Sequence, residues 1–197
     1  MEPKVDKRIK KTKRSLRNAY IELMEKYAED EITVSMIAQY ADLNRATFYA
    51  HYSNKEEFLQ EALCELLEGF REAILTPFKA SNRINVNSLA PTTVQIFEYI
   101  EKNQRIFYAL YTGHTGFKKH LEELFYDIFS NDILIETESP FGKKVDYEMF
   151  LHYQSSATLG LIYYWIQGNF QFSAEVMMEQ LTILSNTQVI DLKKVSD

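Results

Sequence analysis

The sequence predicts an all-α fold, with a small N-terminal helix-turn-helix unit of three helices followed by a C-terminal helical bundle. Three observations lead there. Apolar residues recur at i, i+3, i+4 and i+7 along most of the 197 residues, the period of an amphipathic helix. No segment alternates apolar and polar residues as a half-buried strand would. Between Thr33 and Lys55, helix starts follow one another closely, each announced by a capping residue.

The first helix is predicted from about Thr12 to Tyr27, where Leu16, Ala19, Tyr20, Leu23, Met24 and Tyr27 share one face. Thr33 caps a second helix whose apolar side is Val34, Ile37, Ala38 and Ala41. Asp42 and Leu43 make a tight turn, Leu43 serving as an apolar plug, and Asn44 caps a third helix through Tyr49 to His51. On that helix Phe48 and Tyr52 point inward. Arg45, Ala46, Thr47, Tyr49 and His51 are left on or near the outward side, a set suited to base edges and phosphate oxygens. Ser53-x-x-Glu56 reads as a capping box opening a further helix. Lys55 falls in the first turn of that helix, where free N–H groups and the helix dipole favour a phosphate.

Through these residues, positions 10–60 resemble the DNA-binding domain of the TetR/AcrR (tetracycline-repressor) family. The shared pattern is carried by Ile32, Thr33, Val34, Ile37, Ala38, Ala41, Leu43, Thr47, Phe48, Tyr49, His51, Tyr52 and Lys55. One departure is Asp42, where the family has glycine in the turn; Asp tolerates left-handed backbone better than most residues. Asn44, Arg45 and Ala46 open the recognition helix where the family varies, so no operator sequence carries over. The expected DNA-contacting set is Thr33, Asn44, Arg45, Ala46, Thr47, Tyr49, His51 and Lys55. Arg45 is the candidate reader of guanine O6/N7. Thr33, Tyr49, His51 and Lys55 are expected on phosphates, and Thr47 on either.

Charge is placed unevenly. The net charge is −6, yet the first twenty residues hold eight Lys or Arg against two acids. Residues 1–60 carry eleven bases and ten acids, and residues 61–197 eleven bases and eighteen acids, so the remainder should repel DNA and help orient docking. Lys7 to Arg17 form the basic run, expected to meet phosphates. There is no apolar run of membrane-spanning length and no apolar signal segment near Met1, so the expectation is a cytoplasmic protein without a membrane partner. The one cysteine, Cys64, is expected to be a small core residue.

The helix opened by Ser53 carries Phe58, Leu59, Ala62, Leu63, Leu66, Leu67, Phe70 and Ile74, and is expected to reach Thr76 before Pro77 ends it. At 1.5 Å per residue it is a rod of about 34 Å. A polar link from Lys79 to Ser88 follows, then helices near 90–102, 104–112 and 116–130, a loop from Glu136 to Asp146, and helices near 147–169 and 174–187, the last capped by Ser173. The final ten residues are expected to be loose. The organisation is thus an N-terminal arm and helix-turn-helix domain (1–53), a connecting helix (54–78) and a C-terminal domain (79–197).

From Ala157 to Ile166 the chain is apolar nearly all round, so that helix must be covered on two sides. One side meets its own core; the other is expected to meet a second copy through Ser156, Gly160, Tyr163, Met177, Leu181 and Leu184. A homodimer also suits the recognition helix, since paired helices reach successive major grooves of a near-palindromic operator. The C-terminal domain resembles those of Gram-positive TetR/AcrR regulators, above all in LGLIYYWIQGNFQFSAEVM. The resemblance implies an effector pocket, for which Phe107, Tyr111, Phe125, Phe129, Tyr153 and Tyr164 are the candidate lining and a small apolar or aromatic molecule the candidate ligand.

Catalysis finds no support. His51, His114, His120 and His152 make no metal-ligand pattern, and no phosphate loop or nucleophile elbow is present, so neither enzyme activity, a metal nor a cofactor is expected. The expected function is a homodimeric transcription regulator, most naturally a repressor released by a small molecule. The alternatives are a co-activator controlled by a protein partner and a helical ligand-binding protein without DNA binding.

Overall fold

A computed structural model describes residues 4–79, 90–133 and 144–186. Those residues form α1 (Lys4–Met24), α2 (Val34–Tyr40), α3 (Arg45–Tyr49), α4 (Lys55–Leu75), α5 (Ala90–Lys102), α6 (Gln104–Gly113), α7 (Phe117–Asp127), α8 (Tyr147–Gln167) and α9 (Ala174–Asn186). A 3₁₀ turn at Thr76–Lys79 follows α4, and a π-helical turn at Ile128–Asp132 follows α7. The chain is all-α, as the periodicity predicts. Most of the expected link 79–88, most of the loop 136–146 and the last ten residues lie outside the described residues.

Two apolar clusters organise the chain. Leu16, Tyr20, Leu23, Ile32, Ile37, Phe48, Tyr52 and Phe58 close the first around α1 to α3. The second gathers side chains from α4 to α9, including Phe70, Phe97, Phe107, Phe117, Phe125 and Trp165. The long helix α4 belongs to both, giving Phe58 to the first and Leu63, Leu66, Phe70 and Ile74 to the second. Each buried side chain contributes about 1.5–3 kcal/mol, so neither end of the rod is free to lift away independently. Tyr99 of α5 lies directly over α4: its hydroxyl donates to Leu66 O at 2.9 Å and its ring stacks on Phe70. Only a glycine at position 69 leaves room for that ring. Arg71 ties α4 to the far end of α7 through Asp127 at 2.6 Å and through Asp132.

Several boundaries move from their sequence-based positions. The first helix begins eight residues earlier than expected and ends at Met24, which leaves Tyr27 outside it and 42% exposed. The cap of α4 is Asn54 rather than Ser53: Asn54 Oδ1 accepts from Glu57 N at 2.7 Å, and Glu57 Oε2 accepts from Ser53 N at 2.7 Å. The capping exchange is therefore shifted by one residue, with the Glu reaching the position before the cap. Cys64 is not a core residue; it sits on the exposed side of α4, where Gln60 Nε2 donates to its sulfur at 3.3 Å. α8 stops at Gln167 because Asn169 and Phe170 both turn left-handed, at φ 51° and 55°. That turn folds Phe170 back against Trp165, which is fully buried with Phe97 on it at 5.5 Å; its indole N–H donates to Phe172 O at 2.9 Å.

Candidate nucleic-acid interface

Helices α2 and α3 are short, and their termini are held by side chains. Thr33 Oγ1 accepts from Met36 N at 3.3 Å at the start of α2. Asn44 Oδ1 accepts from both the amide and the hydroxyl of Thr47, at 2.7 and 2.9 Å, at the start of α3. Asp42 takes φ 55° between them, the left-handed conformation that the turn demands, and Leu43 N donates to Ala38 O at 2.9 Å to close it. The hydroxyl of Thr47 thus begins bonded within the turn, keeping a lone pair for an incoming donor.

α3 presents one side to the core and the other to solvent. Phe48 is fully buried and packs edge-on with Phe58 and Tyr49. Outward stand Arg45 and Ala46, with Tyr49 48% exposed; the Arg45 guanidinium lies 5.8 Å from the Tyr49 ring. That contact orients the arginine along the helix without using its N–H donors. His51 is half-buried beside Tyr52. Tyr52 itself is buried and donates to Glu61 Oε1 at 2.7 Å, while Lys13 bonds Glu61 at 2.6 Å. Burial alone would raise the Glu61 carboxyl, but hydrogen bonds from Lys13 and Tyr52, helped by the charge of Arg17, hold it below the usual carboxylate range.

Lys55 is tied into the domain by contacts that its sequence position does not announce. Its ammonium donates to Glu29 O and Ile32 O, both at 2.9 Å. It bolts the first residue of α4 to the connection between α1 and α2 through two of its three N–H donors, which fixes where the ammonium stands at the start of that helix. Glu29 is the centre of a joint that sequence reading missed. Its carboxylate receives His114 Nδ1 at 2.9 Å, and Arg105 bonds Glu25 nearby at 3.0 Å, so α6 and its C-terminal end hold the end of α1. These partners are eighty or more residues apart, and no local pattern announces such a pairing.

The N-terminal part of this geometry matches a family model: residues 17–62 fit that of bacterial regulatory proteins of the tetR family. Residues 87–187 fit a transcriptional regulator C-terminal region belonging to the same regulators. The chain belongs to the TetR family. A relative, the HTH-type transcriptional regulator YxbF of Bacillus subtilis (strain 168), is 19% identical over 166 residues, which is 84% of this chain. The chain spans 42% of the length of that relative. Among solved structures, the dihydroxyacetone kinase operon activator DhaS superposes with a TM-score of 0.59 at 20% identity, covering 88% of this chain and 93% of that one. A TetR transcriptional regulator from Streptococcus agalactiae 2603V gives 0.56 at 22% identity, covering 91% and 96%. The fatty acid degradation regulator FadR from Bacillus halodurans gives 0.60 at 13% identity, covering 88% and 93%. At these identities the likeness is one of fold.

In this TetR-family chain the six candidate pocket residues do not converge. Phe107 and Phe125 are fully buried and pack on Phe70 at 5.6 and 5.8 Å, filling the core rather than lining a space, and Phe129 packs on Phe125. Tyr111 pairs with Tyr163 at 5.4 Å and accepts from Gln167, under the Lys118 ammonium. Tyr153 and Tyr164 are 71% and 54% exposed, so they belong to an outward face of α8 and not to an interior. A small, partly open cavity of about 20 Å³, room for one water, lies at the domain junction between Tyr20, Met24, Leu63 and Leu110, and a wider open cleft of about 740 Å³ lies beside it along Glu29, Lys55, His114 and His120.

The residues expected at a dimer contact divide between the surface and the core. Met149, Tyr153, Ser156, Gly160 and Tyr164 make one exposed column on α8, and a side chain at Gly160 would meet open space. Ile183 and Leu184 are half exposed on α9, Leu181 less so. Met177 is a correction: at 2% exposure it packs into its own core, one helical step from the outward Val176. Among the described residues, no group of three or more His, Cys, Asp or Glu is placed to hold a metal, and no helix is long and apolar enough to cross a membrane.

Proposed function

We propose that this chain is a homodimeric DNA-binding repressor that reads a near-palindromic operator with α3 and releases it when a small effector enters the C-terminal bundle. The observation that carries the reading is the two-sided recognition helix: Phe48 anchors it at 0% exposure while Arg45, Ala46 and Tyr49 face outward. One turn of helix reaches few base pairs, so useful specificity needs two copies. The exposed column of α8 with Ile183 and Leu184 of α9 supports pairing, because a continuous apolar face on a monomer is costly to leave in water. Within the bundle the hydroxyl of Ser155 is buried between Leu151 and Leu159 without a hydrogen-bond partner, a group suited to anchoring an effector's polar end.

The test is selection of bound duplexes from random DNA at low salt, with and without candidate effectors, beside sedimentation of the free protein. Recovery of two half-sites about 10 base pairs apart centre to centre supports the reading. Failure to shift any duplex, or a strictly monomeric protein, refutes it. A second reading, a regulator controlled by a protein partner, is favoured by the way Phe70, Phe107 and Phe125 fill the core with one another; the structural neighbour DhaS is an operon activator. Release of DNA by a small molecule on the purified protein alone decides against that second reading.

A further inference from the structure

We propose that the N-terminal turns of α1 form a basic spur that grips DNA phosphates outside each half-site. This rests on the DNA-binding reading and extends it. The helix is formed from Lys4, whereas its apolar repeat begins only at Leu16. Lys13, farther along the helix, bonds Glu61 at 2.6 Å and lies 5.1 Å over the Tyr52 ring. From Lys4 to Lys11 the helix continues for about 12 Å at 1.5 Å per residue.

The direction of the spur follows from the two ends of α1. Its C-terminal end is fastened to the bundle through Glu25 and Arg105, and Glu29 just beyond it through His114. The other end therefore runs away from the bundle, and it leaves the domain beside Tyr52, three residues after α3 ends. Lys7, Arg8 and Lys11 are exposed there.

The free protein pays for this arrangement. Cations in the first turns of a helix oppose its dipole, and Lys7 and Lys11 are like charges at i, i+4. Lys13 and Arg17, by contrast, are neutralised by Glu61 and Glu65. A polyanion removes both costs at the spur. The bundle, with eighteen acids against eleven bases beyond residue 60, repels such a partner, so a phosphate backbone seats only at this end of the chain.

The test compares the full-length protein with Lys7→Gln, Arg8→Gln and Lys11→Gln combined, glutamine being a good helix former. Binding to the selected duplex is measured across salt, with long and with trimmed flanks of random sequence. Each phosphate released removes about 0.9 from the salt slope. The variant is expected to lose about two or more from that slope, so that across a fourfold rise in salt it weakens about 16-fold less than wild type. Trimming the flanks is expected to weaken wild type and not the variant, with the preferred base sequence unchanged. Equal slopes and equal flank dependence overturn the spur alone. A wild-type protein that shifts no duplex overturns both readings.

Discussion

Replacing Lys55 by methionine separates two roles for one residue. If its ammonium braces the helix-turn-helix, Lys55→Met removes two hydrogen bonds of 2.9 Å, to Glu29 O and Ile32 O, while keeping the length and most of the packing of the side chain. Hydrogen bonds to a charged group contribute about 1.5–3 kcal/mol each when shielded from water. The side chain is only half-buried, so the lower end applies and the pair together is worth about 2–3 kcal/mol. With a urea slope of about 1–3 kcal/mol per molar, the midpoint should fall by roughly 1–2 M. Urea unfolding followed by circular dichroism, at one fixed protein concentration, measures this. The salt slope of operator binding, measured well below the transition, should remain at the wild-type value. A midpoint within about 0.3 M of wild type together with a slope lower by about one would refute the bracing role and return Lys55 to phosphate.

Asp42 holds φ 55°, so Asp42→Gly should raise stability by up to about 1 kcal/mol, and Asp42→Val should lower it by more than that, both read from urea midpoints. At Gly69 a Cβ would fall 2.9 Å from Tyr99 Cζ and closer still to its hydroxyl, so Gly69→Ala should cost about 1–3 kcal/mol despite its better helix propensity. Adding Tyr99→Phe removes the hydroxyl and should recover part of that loss; a double-mutant cycle without coupling counts against the contact. Glu61 and Asp127 are held below their ordinary values when folded, so each stabilises the protein above the unfolded carboxyl range, and that contribution is lost as pH falls through the folded value. Glu61→Gln and Asp127→Asn should each flatten the loss of stability below about pH 4.5, which thermal melts across pH will show.

The helix-turn-helix was readable because its signals are local. Thr33 and Asn44 cap the two short helices where their side-chain chemistry predicts, and Phe48 and Tyr52 fall inward on the expected spacing. Ser53 misled because Asn54 beside it is an equally good cap, and only the backbone decides between neighbours. The bracing contacts of Lys55 were not legible, because the two carbonyls that hold it come from residues 23 and 26 positions away. In the bundle, apolar periodicity located the helices but not their partners. It could not separate Met177, turned inward, from Val176, turned outward, nor tell that Phe107 and Phe125 fill space while Tyr153 faces water. Those distinctions depend on how helices stack, which is a non-local property.

The chain has one tryptophan, and it lies wholly within the second apolar cluster, between Phe97 and Phe170. Its emission is therefore a private optical channel for the bundle, silent about the first sixty residues. Anything that loosens the left-handed hook at Asn169 and Phe170 admits solvent to the indole and shifts its fluorescence to the red. An unlabelled sample can thus reveal whether a compound that dislodges nucleic acid acts from inside the bundle or at the reading head.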